Sequence, residues 1–188
     1  MLYYFFKRIF DVLMSLFVLI FLSPLLLFIS FLIFFQDYNK IIFQQIRIGQ
    51  NGIKFTFYKF RTMPINTPNV TSDRTDNIKI TKIGKILRRT NMDELPQFFN
   101  VIKGDMSVIG PRPALPSQSL LIKLREENGA LKLKPGLTGW AQVNSYDNMT
   151  ENKKAELDGE YFKNHSFYMD LKIFFKTMIY FTKKPPTY

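Results

Sequence analysis

The first hydrophobic pattern along the chain is a charge-free run of about 24 residues, from Val12 to Phe35. A run of this length can cross a bilayer as one helix. Ser23-Pro24 interrupts it near the middle, and a proline removes a helical hydrogen bond and bends the helix. Basic residues flank both ends, with Lys7 and Arg8 in front, and cationic flanks prefer the cytoplasmic side. The pattern therefore fits either a single spanning helix or a re-entrant hairpin that returns to the same side.

Two alternating runs follow, Ile41 to Ile48 and Ile53 to Phe60, joined by Gly49-Gln50-Asn51-Gly52. An Asn-Gly pair between two such runs is typical of a β-hairpin. The second run ends in Lys59-Phe60-Arg61. The predicted hairpin thus carries cations at one end, where they either reach into a binding site or simply keep the strand end solvated.

The central stretch, Lys82 to Pro113, begins with apolar residues at helical spacing among basic ones. Ile83, Ile86 and Leu87 would lie on one face of a short helix, with Arg88 and its basic neighbours on the rest. This pattern predicts a short amphipathic helix that leads into the most acidic point of the stretch.

A second short helix is predicted directly after that point. Pro96 suits the first turn of a helix that runs from Gln97 to about Lys103 and ends at Gly104. The adjacent acids Asp93 and Glu94 would then lie at a helix N-terminus, where unpaired backbone N–H groups favour carboxylates and phosphates. The stretch is interpreted as a centre that handles phosphate.

The pattern of the remaining residues predicts a mainly helical domain. Together with the hairpin, this predicts an α+β protein that has a membrane element at residues 1–36 and a domain at residues 37–188. The last helix has the basic, aromatic, amphipathic pattern that suits a membrane interface, although packing on a core uses the same pattern. The predicted elements are a loop from Pro64 to Asn77, a helix from Ser117 to Asn128, an extended segment from Leu137 to Val143 around a core Trp140, a polar helix from Glu151 to Phe162, and the amphipathic helix from Asp170 to Lys184.

Composition narrows the class of partner. The formal net charge is +11 and the pI is near 9.8, which indicates an anionic partner such as nucleic acid, an anionic membrane or a phosphorylated substrate. Aromatic residues make up 16% of the chain, with 20 phenylalanines, and this surplus points towards lipid. There is no cysteine, which excludes disulfides and thiolate metal sites. The one histidine, His165, is given no functional role.

The adjacent acids are the best candidates for chemistry, because the chain has no P-loop, dinucleotide-binding glycine pattern, nucleophile elbow or Asp-x-Asp motif. A carboxylate beside cations stays ionised at neutral pH and can bind Mg²⁺ or attack phosphorus. Arg112 lies between Pro111 and Pro113, which fix the backbone and lower the entropy that the guanidinium loses when it binds an oxyanion. Nearby arginines and lysines would neutralise a diphosphate.

These residues fall in motifs by which the chain resembles the bacterial sugar transferase family, the monotopic phosphoglycosyl transferases. The resemblance covers nearly the whole chain and includes the Ser23-Pro24 segment. The matching segments are Lys59 to Met63, Asp93-Glu94-Leu95-Pro96-Gln97, Asn100 to Pro113, Pro135 to Asn144, and the Asp-x-x-Tyr of Asp158 and Tyr161. The length of 188 residues resembles that of the minimal catalytic unit of the family.

The resemblance implies a re-entrant membrane helix broken at Ser23-Pro24 and an active site that faces the cytoplasm at the bacterial inner membrane. It implies transfer of a sugar 1-phosphate from a UDP-sugar to polyprenol (undecaprenyl) phosphate, the first membrane step of glycoconjugate assembly. Asp93 would attack phosphorus and release UMP, and the lipid phosphate would then take the phosphosugar in a ping-pong scheme. Glu94 would position or activate groups in that exchange.

The resemblance also implies a cofactor and partners. Mg²⁺ would bridge the diphosphate and Asp93, and Lys59, Arg88 and Arg112 would contact phosphates. Membrane lipid is an expected partner and nucleic acid is not, and later glycosyltransferases of the same pathway are further candidates.

One departure from the family pattern concerns Ser145-Tyr146, where the family often has Gly-Arg. If that arginine contacts the nucleotide, the contact here is lost or replaced, so the preferred nucleotide and sugar stay open. The alternative to an enzyme is a non-catalytic basic membrane adaptor that binds anionic lipid or nucleic acid through its net charge of +11. Such binding would be screened by salt and indifferent to the loss of one carboxylate.

Overall fold

The computed structural model describes residues 2–37, 40–64, 67, 80–144 and 149–182. Most of the predicted loop from Pro64 to Asn77 lies outside these residues, as do Ser145, Tyr146 and the two lysines that end the last predicted helix. In the described part the chain combines eight α-helices with two small sheets, which confirms the α+β class.

The amino-terminal hydrophobic segment forms two helices, α1 (Leu2–Phe21) and α2 (Ser23–Asp37). They meet at Leu22 with a bend of 62°. No single helix in the described ranges is long and apolar enough to cross a bilayer, whereas this bent pair passes the same test of length and composition when it is taken together. Pro24 is the second residue of α2, a position that tolerates a missing N–H. The hydroxyl of Ser23 donates to the carbonyl of Ile20 (2.8 Å).

The first half of α1 is bonded to the rest of the protein. Arg8 donates to the carbonyls of Val101 (2.6 Å) and Ile102 (2.7 Å), and the carboxylate of Asp11 accepts from the backbone N–H of Val108 (2.9 Å). Arg8 and Asp11, in front of the charge-free run, therefore do more than flank it. They fasten its helix to the domain.

The predicted hairpin is confirmed. Strands β1 (Ile42–Ile48) and β2 (Lys54–Phe60) pair antiparallel, with Ile42 opposite Phe60. Asn51 (φ 54°) and Gly52 (φ 78°) adopt left-handed backbone conformations in the connecting turn, as an Asn-Gly pair does more readily than other residues.

Both helices predicted in the central stretch are confirmed. Helix α3 (Lys82–Arg89) begins after Thr81, whose side chain accepts from the N–H of Gly84. Helix α4 (Gln97–Lys103) begins after Pro96 and ends at Gly104 (φ 96°), a left-handed C-cap that glycine favours.

After α4 the described part of the chain contains a second sheet and four α-helices, and one prediction here is wrong. The segment from Leu137 to Val143 is not extended throughout, because a helix begins at Trp140 directly after a three-residue strand. Trp140 itself is buried in the main core, as predicted. The elements are β3 (Ser107–Ile109), α5 (Ser119–Glu127), β4 (Gly136–Thr138), α6 (Trp140–Asn144), α7 (Glu151–Asn164) and α8 (Phe167–Thr182), with β3 parallel to β4.

Two apolar clusters support the region around the acidic pair. The larger one joins the hairpin to α4, α6 and α8 through Phe57, Val101 and Ile173. The second joins α2 to the end of β2 and to α3, where Ile33 packs with Phe60 and partly buried Met92 and Leu95 complete the cluster. The residues on either side of Asp93 and Glu94 therefore rest on the second amino-terminal helix.

Helix α8 keeps an exposed apolar face. Phe175, Met178 and Ile179 are exposed, while Lys172 and Lys176 lie over the ring of Trp140 at 5.1 and 4.6 Å from its centroid. This is the amphipathic pattern that the sequence predicts for the last helix.

Candidate active site

The two candidate acids lie in a 3-10 turn, Met92–Glu94, between α3 and α4. Asn91 precedes the turn with a left-handed backbone (φ 53°), which reverses the chain after α3. Asp93 is only 6% exposed, whereas Glu94 is partly exposed. The turn thus holds one carboxylate inside the protein and its neighbour closer to the surface.

Glu94 joins two cations that are far apart in the sequence. Its Oε1 accepts from Lys59 Nζ (2.6 Å) and from Arg112 Nη2 (2.7 Å), while Oε2 is 3.5 Å from Arg112 Nη1. Burial alone would raise the pKa of Glu94, but Arg112 and Lys59 outweigh it and hold the pKa well below its usual range. Glu94 is therefore ionised throughout the physiological range and acts as an anchor for both cations.

The carboxylate of Asp93 has different surroundings from that of Glu94. Its Oδ2 lies 3.6 Å from Lys59 Nζ, and within the described part of the chain no hydrogen bond to its carboxylate is recorded. Burial raises the pKa of Asp93, and the charge of Glu94 raises it further, while Lys59, Arg88 and Arg112 oppose both effects. The carboxylate of Asp93 thus keeps its acceptor capacity, beside a cation that favours its ionised form.

Lys59 reaches this pair because β2 is tied to α4 by a residue that the sequence analysis gave no role. Asn100 is fully buried in α4, and its amide donates to the carbonyl of Thr56 (2.7 Å) and accepts from the N–H of Tyr58 (3.2 Å). The side chain substitutes for a neighbouring strand along this edge of β2. Asn100 therefore sets the register between the strand that carries Lys59 and the helix that follows Glu94.

Arg112 reaches the pair from the loop after β3. Gly110 and Gly136 pass each other so closely that a Cβ on Gly136 would lie 2.1 Å from the backbone nitrogen of Gly110. The N–H of Gly136 then donates to the carbonyl of Pro111 (2.8 Å). Only glycines permit this close approach of the two backbones. The approach fixes the position at which the loop with Pro111, Arg112 and Pro113 begins.

Arg88 is placed by an equally close contact on the other side. A Cβ on Gly84 would lie 2.2 Å from the carbonyl of Thr62, so α3 packs directly on the chain that leaves β2. Arg88 Nε then donates to the hydroxyl of Thr62 (3.0 Å), and its charge is close enough to lower the pKa of Asp93. Arg61, in contrast, points away and donates to the carbonyl of Lys40 (2.7 Å).

The donor set bears on the expected Mg²⁺. The described residues contain no group of three or more histidine, cysteine, aspartate or glutamate side chains that could hold a metal ion by themselves. Magnesium, however, is usually held by one or two carboxylates together with substrate phosphates and water. Asp93 supplies one such oxygen ligand, whereas the oxygens of Glu94 already bond to Lys59 and Arg112. The residues present therefore fit a magnesium ion that binds with its phosphate substrate.

An apolar cavity of about 620 Å³ lies close to the site, between the amino-terminal helices and the hairpin. Leu26 and Leu27 of α2 form one wall, and Tyr58 and Phe60 of β2 form the other. These strand residues flank Lys59 and point to the opposite face of the hairpin. The cavity is further lined by Leu19, Ser23, Ser30, Ile42, Gln44, Pro96 and Phe99, so it joins the helix break to the segment directly after Glu94.

The structure thus brings together Lys59, Arg88, Asp93, Glu94 and Arg112, the residues that the sequence analysis proposed for catalysis and phosphate binding. Ser23 lies at the cavity instead, and Pro24 follows it in α2. His165 lies outside this group, where its Nδ1 donates to the carbonyl of Phe162 and its Nε2 bonds to the hydroxyl of Tyr4.

Comparison with known proteins identifies the family of this chain. Residues 2–184 match the family model for bacterial sugar transferases. The chain is 40% identical over 167 residues to a Bacillus subtilis protein named uncharacterized sugar transferase EpsL, covering 89% of this chain and 82% of that one. It is 40% and 37% identical to the UDP-glucose:undecaprenyl-phosphate glucose-1-phosphate transferases of Klebsiella pneumoniae and Escherichia coli, over 92% of this chain and 39% of each relative.

These matches extend over both the amino-terminal helices and the domain that holds the carboxylates. They bear out the resemblance stated from the motifs, and they favour a sugar transferase enzyme over a non-catalytic adaptor. The chain belongs to the bacterial sugar transferase family.

Proposed function

We propose that this protein is a membrane-bound phosphoglycosyl transferase that moves a sugar 1-phosphate from a UDP-sugar to polyprenol phosphate. The state of Asp93 is the observation that carries the proposal, because its buried carboxylate lies 3.6 Å from Lys59 and has no recorded hydrogen bond to the described residues. A carboxylate with free lone pairs beside a cation is equipped to attack phosphorus. The names of the K. pneumoniae and E. coli relatives supply the class of both substrates.

The proposed chemistry has two displacement steps at one phosphorus atom. A carboxylate oxygen of Asp93 forms a bond to the sugar-bearing phosphorus of the UDP-sugar, and the bond between the two phosphates breaks to release UMP. A phosphate oxygen of the lipid then attacks the same phosphorus, and the bond to Asp93 breaks. The carboxylate is restored and the product is a polyprenyl diphosphate sugar, so neither step needs an external oxidant, reductant or further reactant.

The neighbouring charges divide the work between them. Lys59 lies between the carboxylates, at 2.6 Å from Glu94 and 3.6 Å from Asp93, where it favours the ionised nucleophile. Arg112 and Arg88 would neutralise the oxygens of the transferring group, since charge on phosphoryl oxygens is the main target of electrostatic catalysis. Glu94 holds Lys59 and Arg112 in one arrangement and so positions them for both steps.

Mg²⁺ is proposed as the cofactor. When bound, it would offset the charge of the diphosphate and favour departure of UMP. Asp93 would hold it together with phosphate oxygens of the substrate.

The apolar cavity supports a lipid substrate. Its volume of about 620 Å³ and its lining of leucine, phenylalanine and tyrosine suit a hydrocarbon chain. Pro96 and Phe99 bring it within a few residues of Glu94. We place the isoprenoid end of the polyprenol there, with the phosphate turned towards the end of β2 and the carboxylates.

The bent helix pair supports a membrane location. Residues 1–36 are proposed as a re-entrant element and residues 37–188 as the catalytic domain, with the active site on the cytoplasmic face of the bacterial inner membrane. The exposed apolar residues of α8 would contact the same surface. Later glycosyltransferases of the pathway that uses the product are proposed as partners.

The chemistry is tested with purified protein, undecaprenyl phosphate, Mg²⁺ and a panel of UDP-sugars that includes UDP-glucose. Without the lipid, the wild type should release about one equivalent of UMP and gain the mass of one phosphosugar; Asp93→Asn should do neither. Release of UMP only when the lipid is present, with no mass gain, would contradict the covalent intermediate. Retention of turnover by Asp93→Asn would remove its proposed role.

The topology is tested by labelling single introduced cysteines near Met1 and near Gln36 in sealed vesicles. Labelling of both from the same side is expected for a re-entrant pair. Labelling from opposite sides would favour a spanning segment and leave the chemistry untouched.

A further inference from the structure

A buried ion pair lies behind the loop that carries Arg112. Arg125 of α5 donates from Nε (2.9 Å) and Nη2 (2.6 Å) to one oxygen of Asp158 in α7. Arg125 is 6% exposed and Asp158 is 1% exposed. Burial raises the pKa of Asp158, and the guanidinium of Arg125 opposes the shift. The pair lies outside the group of residues that would touch the substrates.

The remaining arm of Arg125 reaches the proposed site. Its Nη1 donates to the backbone carbonyl of Arg112 (2.9 Å). The carbonyls on either side are also bonded, since Pro111 accepts from the N–H of Gly136 (2.8 Å) and Pro113 from the side chain of Arg47 (3.2 Å). Arg125 is thus the donor that acts on the peptide of Arg112 itself.

The side chain of Arg112 depends on this backbone support. It is 43% exposed, and its Nη2 lies 2.7 Å from Oε1 of Glu94. A long exposed side chain that must meet one carboxylate loses less entropy when its Cα is held in one place. Pro111 and Pro113 restrict the torsions, and Arg125 fixes where the peptide between them lies.

Stability is a weak explanation for the pair, because replacement of a buried ion pair by well-packed apolar residues is often neutral or stabilising. We infer that Arg125 is a positioning residue of the proposed transferase, held by Asp158, and that it acts through Arg112 on the phosphate-binding side of the site. The inference rests on the proposed function. It assigns no contact between Arg125 and either substrate.

The first test separates positioning from stability with the double variant Arg125→Met/Asp158→Leu, which replaces the pair by apolar side chains. UMP release is measured with a UDP-sugar that the wild type turns over, and the melting temperature is measured in the same detergent. We expect a melting temperature near that of the wild type and a rate about 10- to 100-fold lower, the range that small misplacements of a binding group produce. Wild-type turnover by the folded double variant would overturn the inference.

A milder variant covers the case in which the double variant does not fold. Arg125→Lys keeps a positive charge beside Asp158 but lacks the fork that reaches both Asp158 and the carbonyl of Arg112. We expect about a 10-fold lower rate. Lys123→Met is the matched control, because Lys123 lies on the same helix in an exposed pair with Glu127, and it should keep the wild-type rate.

The decisive readout is the same change made in an Arg112→Ala background. If Arg125 acts through Arg112, Arg125→Lys should cause little further loss there, since coupled residues are not additive. An equal loss in both backgrounds would overturn the inference and indicate a general structural role. Wild-type turnover by Arg112→Ala alone would overturn both this inference and the place of Arg112 in the proposed site, whereas an impaired Arg112→Ala with a fully active Arg125→Lys would overturn only the inference.

Discussion

Asp93 and Asp170 are both buried carboxylates, but their surroundings differ. Asp170, at the start of α8, accepts from the hydroxyls of Tyr3 (2.8 Å) and Tyr161 and from Lys7 (2.7 Å). Asp93 lies 3.6 Å from one lysine, and no hydrogen bond to it is recorded among the described residues. Donors on two helices, α1 and α7, thus satisfy Asp170, while the described residues leave the lone pairs of Asp93 available to a ligand.

The difference indicates what each carboxylate is for. Burial without donors raises the pKa of Asp93, which means that the folded protein binds a proton there more readily than the unfolded chain. The ionised form of Asp93 therefore lowers stability at neutral pH. Asp170 instead joins α1 to α7 and α8, and its donors offset the cost of burying its charge. The ionised form of the proposed nucleophile Asp93 thus lowers stability, whereas Asp170 contributes to it.

The largest expected effect is that of Asp93→Asn. Removal of a nucleophile should lower the rate of UMP release by at least about 10³-fold. The raised pKa of Asp93 means that its ionised form is unfavourable in the folded protein, so the melting temperature of the variant at pH 7 should be higher than that of the wild type. This gain should disappear when the pH drops below the usual pKa range of aspartate, where the wild-type carboxyl group is protonated in both the folded and the unfolded protein. Turnover within tenfold of the wild type, or a clear loss of stability, would contradict this view of Asp93.

The matched change at the other carboxylate, Asp170→Asn, should have the opposite profile. An amide cannot accept from both tyrosines and Lys7, and the lysine loses its counter-ion, so unfolding should become easier by about 3 kcal/mol. Molecules that remain folded should release UMP at nearly the wild-type rate. The measurement is a thermal melt in detergent beside the rate per folded molecule. A normal melting temperature would show that Asp170 does not fasten α1.

Lys59→Met tests the cation between the two acids. Lys59 is the strongest influence opposing the raised pKa of Asp93, so its loss should raise that pKa further. The acid limb of the pH–rate profile, where activity falls as Asp93 takes up a proton, should then move to higher pH, and the rate at pH 7 should fall by about 100-fold. An acid limb that stays in place would show that another group controls it. Arg61→Met, at a cation that points away from the site, is the control.

The smallest expected effect is that of Tyr3→Phe, which removes one donor from Asp170. Since two donors remain, the loss should be about 1 kcal/mol of stability with no change in the rate of UMP release. Tyr4→Phe, on the neighbouring residue of α1, serves as the control because its hydroxyl bonds to His165 instead. A larger effect of Tyr4→Phe would place the anchor of α1 at His165.

Local patterns were enough to predict much of the fold. The hairpin, α3 and α4 follow from alternation, helical spacing, Asn-Gly, Pro96 and Gly104, because the physical causes of these elements act over a few residues. The one wrong element, α6, has its cause elsewhere in the chain. A Cβ on Gly139 would lie 2.1 Å from the carbonyl of Gly110, so the contact that ends the extended segment is made with the residue directly after β3, about 30 residues earlier.

The candidate site was predicted in its residues but not in its arrangement. Motif resemblance indicated Lys59, Arg88, Asp93, Glu94 and Arg112, yet nothing local shows that Lys59 and Arg112 share one oxygen of Glu94. Asn100 was part of a matching motif without a role, and its bonds to β2 reach back 44 residues. The signal for the role of Asn100 is an asparagine in a short predicted helix. That signal is informative only if the asparagine is buried, and its burial depends on the fold.

Local chemistry along the chain was sufficient to indicate a membrane segment with a break, a cationic phosphate-handling stretch and an acidic pair, since charge, turn residues and periodicity are properties of neighbouring residues. Folding alone made the two acids different. Asp93 is buried without a hydrogen-bond donor among the described residues, and Glu94 lies between a strand lysine and a loop arginine. Desolvation and long-range ion pairs set their pKa values in opposite directions, and both depend on residues that become neighbours only in the folded protein.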